Sequence, residues 1–163
     1  MILLIESVIL CILFAFSVTS SLLKNPLAWI SDYPTEIQQR AKELGLVPKD
    51  KKYMTKAELA RKTFGVIFII ILFIVLLINV NGAETFGQGF FQSFLLYNSI
   101  TWFDAFIVDC MWFCHSKKVI IPGTEDMTEN YHDYMFHIKN SFIGMAIGLP
   151  VCIIIGAGVM IFA

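Results

Sequence analysis

Three acids stand inside long apolar runs: Glu6, Asp104 and Asp109. A charge at the centre of a bilayer costs at least ~2.5–3.5 kcal/mol, so such acids must pair, stay protonated or carry function. Three histidines follow, His115, His132 and His137, with Asp133 between the last two. Asp133 and His137 are four apart and would share a helical face. Imidazole, carboxylate and the thiols of Cys110 and Cys114 are donor types that hold transition metals. The candidate metal ligands are therefore Asp109, His115, His132, Asp133 and His137. The same groups without a metal handle protons, and interfacial histidines also serve as polar anchors. No H-E-x-x-H, no C-x-x-C and no histidine pair at i, i+4 selects among these readings. A heme is the weaker fit, because all three histidines lie at the edges of apolar runs.

The elements that must position these groups are helices in lipid. Of 163 residues, 57% are hydrophobic and 15% charged, and the mean hydropathy is +0.72. Soluble domains sit nearer ~45–50% apolar and ~25% charged. A net charge of -1 gives no reason to expect nucleic acid as a partner. The apolar runs predict an all-α, four-helix transmembrane bundle forming one domain, 1–163. Its spans are about 1–23, 64–80, 86–114 and 136–163. The first run lacks a basic n-region and an A-x-A cleavage site, so it reads as a retained helix. Pro150 should kink the fourth span. The four cysteines, Cys11, Cys110, Cys114 and Cys152, lie in or at the ends of apolar runs and read as buried thiols.

All twelve Lys and Arg residues fall in two connections: nine between 24 and 62, three between 115 and 140. The positive-inside rule then puts connections 24–63 and 115–135 in the cytoplasm and both termini outside. In the first connection Thr35 and Gln38 suggest a capping box, Gly45 a helix stop, and Ile37, Ala41 and Leu44 one apolar face. This amphipathic cytoplasmic helix would lie on the membrane surface or against the bundle. Thr55 and Glu58 suggest a second capping box leading into span two, and Asn81-Gly82 a turn.

The third span is unusually polar. At ~100° per residue Gln88, Gln92, Ser99, Asp109 and Cys110 fall on one stripe, which should face the interior. Asp104 is turned ~140° from Asp109, so the two carboxylates are not expected to share a face. In the second connection Thr124 or Thr128 would cap the next helix, with Glu125 or Glu129 in its first turn. Tyr131, Tyr134 and Phe136 would lie at headgroup level. On the fourth span Ser141, Gly144 and Gly148 form a small face. Close packing there would serve the bundle, a second copy or a partner membrane subunit.

The run Asp104–Asp109, then Ile121-Pro122-Gly123-Thr124-Glu125, then Tyr131-His132-Asp133-Tyr134-Met135-Phe136-His137, resembles an uncharacterised family of bacterial four-span integral membrane proteins with an IPGTE…YxDYxFH segment. The resemblance covers about residues 98–145. It implies a bacterial inner-membrane protein and groups Asp104, Asp109, Glu125, Asp133 and His137 as the candidate catalytic or binding residues of one site. It implies no reaction. The reading is a multi-pass protein of the cell membrane, in contact with membrane lipid and with a polar site at the cytoplasmic interface. It would act as a small binding, accessory or transport-type subunit. The alternative is a membrane-embedded enzyme acting on a lipid or lipid-linked substrate at the cytoplasmic leaflet. Convergence of Asp109, Asp133 and His137 would mark a site. A polar path through Glu6, Gln88, Gln92 and Asp104 would mark a transporter.

Overall fold

The computed structural model describes residues 1–48 and 56–163. These form an all-α structure with no strand among them. Its helices are α1 (Ile2–Lys24), α2 (Thr35–Glu43), α3 (Lys56–Asn79), α4 (Phe86–Phe103), α5 (Thr128–Tyr131) and α6 (Tyr134–Phe162). Short 3₁₀ turns occupy Pro26–Asp32, Phe113–His115 and Lys117–Val119, and a π-helix, Asp104–Trp112, prolongs α4. Helix α6 continues through Pro150. The suggested cap at Thr55 lies outside the described residues. Two stretches, Ile2–Lys24 and Thr128–Phe162, are long and apolar enough to cross a membrane; Thr63–Asn79 is a shorter apolar helix. Their outer faces are apolar and bare: Phe16, Phe64, Ile147 and Phe162 are all exposed. Contacts divide the chain into two compact units.

The first unit comprises Met1–Ile9, Tyr53–Thr101 and Ile143–Ala163. Here α4 and α6 pack along small residues spaced four apart on α6. A Cβ on Gly144 would meet Thr101, one on Gly148 would fall 2.1 Å from the Tyr97 ring, and one on Gly156 would press on Phe86 and Phe90. Between them, buried Cys152 hydrogen-bonds to Ser93. Gly89 answers from α4, where a Cβ would meet Val159 at 2.8 Å. Such stripes let helix backbones approach and dispersion do the holding. Tyr97 also donates its hydroxyl to the Gly144 carbonyl at 2.9 Å. The small face is thus filled from within the chain, and a subunit docking on Gly144 and Gly148 would have to displace Tyr97.

Glu6 and Gln88 have local work in this unit, while Gln92 Oε1 and Asn98 Oδ1 are buried without a partner among the described residues. Glu6 accepts two hydrogen bonds from the Asn81 side chain, at 2.9 and 3.1 Å. Asn81 precedes Gly82, whose φ of 62° makes the expected turn. Thr85 and Gln88 form a capping box at the start of α4: Thr85 Oγ1 accepts from the Gln88 amide, and Gln88 Oε1 accepts from the Glu84 and Thr85 amides. Gln88 is therefore exposed at a helix end rather than turned inward, and Glu6 is held by Asn81. Neither stands on the polar path expected of a transporter.

The second unit comprises Leu10–Lys52 and Trp102–Phe142. Its core gathers Leu22, Tyr33, Ile37, Phe113, Cys114, Val119, Ile121 and Tyr131. Helix α2 buries Ile37 and Ala41 here, so it lies against protein along its apolar face. Pro34, not Thr35, is its N-cap, and no side chain caps it; Gln38 instead donates to the Tyr33 carbonyl at 2.7 Å. The C-terminus is as expected. Gly45 has φ +72°, its amide bonds to Lys42 O, and the Leu46 amide bonds to Ala41 O, the two bonds of a Schellman stop.

Against α2 sits a type II turn, Ile121-Pro122-Gly123-Thr124, closed by the Thr124 amide on Ile121 O at 3.1 Å. Proline sets the first central residue, and the second needs positive φ, which Gly123 supplies at 87°. Leu44 leaves no space for a Cβ there. Inside the turn Tyr131 Oη accepts the Ile121 amide at 3.0 Å and lies 2.7 Å from Thr124 Oγ1. Thr124 donates to Ile121 O at 2.7 Å, so Tyr131 must donate to Thr124. The three groups close a ring with every buried polar atom satisfied. Thr124 is therefore a core residue, not a helix cap. Tyr131 is equally core rather than a headgroup anchor. Helix α5 starts after Met127 without a side-chain cap, so Thr128 does not cap it either.

Candidate functional site

The π-helix decides where the acids point. A helix bonded i→i+5 brings residues five apart to neighbouring positions on one side. Asp104 and Asp109 are five apart and both lie in the π segment, Asp104–Trp112. The expectation that they face opposite sides assumed α-helical rotation and is corrected; the two carboxylates are close enough for their charges to interact. π Segments are marginal compared with α-helix and are frequently found at functional sites.

Asp109 Oδ2 lies 3.2 Å from Nδ1 of His137 on the first turns of α6. The histidine side chain is 4% exposed and the aspartate 26%. Phe113 and Phe136 pack edge-on against the imidazole, with centroids at 5.2 and 5.3 Å. Phe113 is held in turn by Tyr33, at 4.9 Å, and Tyr33 donates to Val119 O at 2.9 Å. Burial, then the neighbouring Tyr131 and Asp32, raises the Tyr33 phenol above its ordinary range, so it stays a donor. With Asp109 accepting from Nδ1, a neutral His137 carries its proton there and presents a bare lone pair at Nε2. That atom is buried and has no partner among the described residues. An unsatisfied buried acceptor costs about 1–3 kcal/mol, and Gln92 Oε1 and Asn98 Oδ1 are unpartnered in the same way.

Asp32, at the end of a 3₁₀ turn, joins the same neighbourhood. Desolvation raises its carboxyl above the usual range and repulsion from Asp109 adds to this; a hydrogen bond from Ser31 and the nearby His137 oppose it. Asp109 and Asp32 act on the imidazole, and Asp104 acts on both of those carboxylates, which makes the neighbourhood one of negative potential. Its open edge is Asp109 and its sealed back is His137. Asp32 was not among the expected residues. Its signal, an acid two residues before the Pro34 that starts α2, does not differ from an ordinary polar connection.

The other expected residues go elsewhere. Asp133 Oδ1 accepts the Phe136 amide at 3.0 Å and caps α6. Glu125 accepts the Gly123 amide at 2.8 Å and belongs to the turn. The grouping of Asp104, Asp109, Glu125, Asp133 and His137 thus divides: Asp109 meets His137 and Asp104 interacts with Asp109, while Glu125 and Asp133 do local backbone work. His115 and His132 lie on the surface against each other, with centroids 5.1 Å apart. Among the described residues no three His, Cys, Asp or Glu side chains are grouped to hold a metal ion, so the expected ligands Asp109, His115, His132, Asp133 and His137 do not form one metal centre. The four cysteines are free thiols. The chain matches no protein-family model, no curated protein and no solved structure.

Proposed function

We propose that the chain is a four-span membrane protein of the cell membrane, acting as a small binding, accessory or transport-type subunit. In this reading a proton or small cation from the cytoplasmic side is taken up at the Asp109–His137 pair. The observation that carries it is the pair itself: a sealed imidazole whose Nδ1 meets a partly open carboxylate at 3.2 Å, with Asp104 and Asp32 close enough for their charges to act on Asp109. A positive species is the one that such a cluster stabilises. Support for four spans comes from bare apolar faces on α1, α3 and α6, and from the continuous helix through α4 and the π segment. The confinement of Lys and Arg to two connections supports cytoplasmic placement of the site, with both termini outside.

The test is infrared difference spectroscopy on protein reconstituted in lipid, between buffers differing in pH or in Na⁺ and K⁺. A difference signal should appear on uptake, a carboxylate band lost to a carboxylic acid band for a proton or shifted for a cation, and it should vanish in Asp109→Asn. The same signal in that variant, or no signal in the parent, would contradict the proposal.

A further inference from the structure

His115 and His132 form a second cluster that uses neither Asp109 nor His137. His132 Nδ1 lies 2.8 Å from Thr128 O. A carbonyl only accepts, so Nδ1 carries the proton and Nε2 keeps its lone pair. His115 Nε2 lies 3.3 Å from the Tyr134 hydroxyl, which leaves Nδ1 as its uncommitted nitrogen. Both side chains are exposed. Each ring is therefore oriented through one nitrogen by a protein oxygen and has its other nitrogen uncommitted among the described residues. Metal-ligating histidines are held in this way.

The spacing fits as well. Metal–imidazole bonds of ~2.0–2.1 Å at a tetrahedral angle hold two ring centroids about 5 Å apart. The observed centroid separation is 5.1 Å, with planes at 77°. We propose that His115 and His132 form a two-histidine site for a borderline divalent metal ion, Zn²⁺ or Cu²⁺. The protein supplies two nitrogens, and water or a phosphate oxygen completes the shell. The site is then open and exchangeable, unlike a closed structural zinc centre with four protein ligands.

Copper(II) alone is the probe, added at one equivalent to tag-free, chelator-stripped full chain in lipid nanodiscs and read by electron paramagnetic resonance. The expected spectrum shows coupling to two imidazole nitrogens. His115→Gln and His132→Gln should each lose one nitrogen, and His137→Gln should lose none. Both substituted positions are exposed, and matching thermal melts would confirm that the variants fold. Two-nitrogen coupling that survives either single variant, or that disappears in His137→Gln, would overturn the assignment; so would a parent protein that binds no copper through nitrogen.

Discussion

The two units close their interiors in opposite ways. The first does so by removing atoms: Gly89, Gly148 and Gly156 bring α4 and α6 so close that side chains such as Tyr97 and Val159 occupy the absent Cβ positions. The second does so by adding polar groups and satisfying them, with Tyr131, Thr124 and Ile121 closing a buried hydrogen-bond ring. Within that second unit the Asp109–His137 pair is the exception, because His137 Nε2 is left without a partner. A packing fault and an unmet polar group are therefore different kinds of damage in the two regions. Among the described residues three buried polar atoms are unmet: Gln92 Oε1 and Asn98 Oδ1 in the first unit, and His137 Nε2, beside Asp109, in the second.

The comparison breaks most severely at Gly148. Gly148→Val places a branched side chain in the Tyr97 ring, and overpacking of this kind should cost about 3 kcal/mol. Thermal unfolding in detergent would read this as the largest loss of any single substitution here. A small loss would mean that α4 and α6 are not closely packed. Tyr131→Phe attacks the second unit by chemistry instead of volume. It strands the Ile121 amide and should cost about 1–3 kcal/mol, with proteolysis appearing in the connection around 115–133. An unchanged melting temperature and cleavage pattern would argue that the buried ring of hydrogen bonds is not formed.

Gly123→Ala separates backbone from space. A positive φ disfavours alanine by about 1 kcal/mol, and Leu44 adds a clash. Adding Leu44→Ala should relieve only the clash, so the double variant should remain less stable than Leu44→Ala alone. Equal melting temperatures for those two would remove the backbone argument.

The smallest effect is a gain. Asp32 has a folded-state pKa above its unfolded value, so its ionisation opposes folding. The penalty is absent below the unfolded pKa of ~3.9 and fully present once pH exceeds the folded one. Asp32→Asn should therefore stabilise the fold at neutral pH, by less than about 1 kcal/mol for a group this exposed, with a correspondingly higher melting temperature, and have no such effect near pH 3. A destabilised variant at neutral pH would mean that Asp32 is held by attraction rather than crowded by Asp109.

Much of the scaffold was legible. Apolar runs located α1, α3 and α6, Gly45 and Gly82 marked a helix stop and a turn, and the small residues of α6 marked a close approach. The capping box at Thr85 and Gln88 was equally legible as T-x-x-Q before an apolar run, but an inward-facing stripe was assigned to Gln88 instead. The candidate site was half legible. Position along the runs grouped Asp109 with Asp133 and His137, because all three stand near the connection between two apolar runs. The relation of Asp104 to Asp109 was not, because it depends on a helix of i→i+5 pitch that leaves no periodic trace in nine residues. Asp133 misled for a different reason: an acid just before a helix serves equally as cap or ligand, and only the Phe136 amide decides. Asp32 gave no signal, since it reaches the site through the chain's tertiary path.

Asp109 and His137 form one bonded unit. Nitrogen-15 NMR of histidine-labelled protein in lipid reads it directly, by showing which ring nitrogen carries the proton while His137 is neutral. The pairing predicts a protonated Nδ1 and a bare Nε2, with this preference lost in Asp109→Leu. A proton on Nε2 in the parent protein, or an unchanged spectrum in the variant, would contradict it.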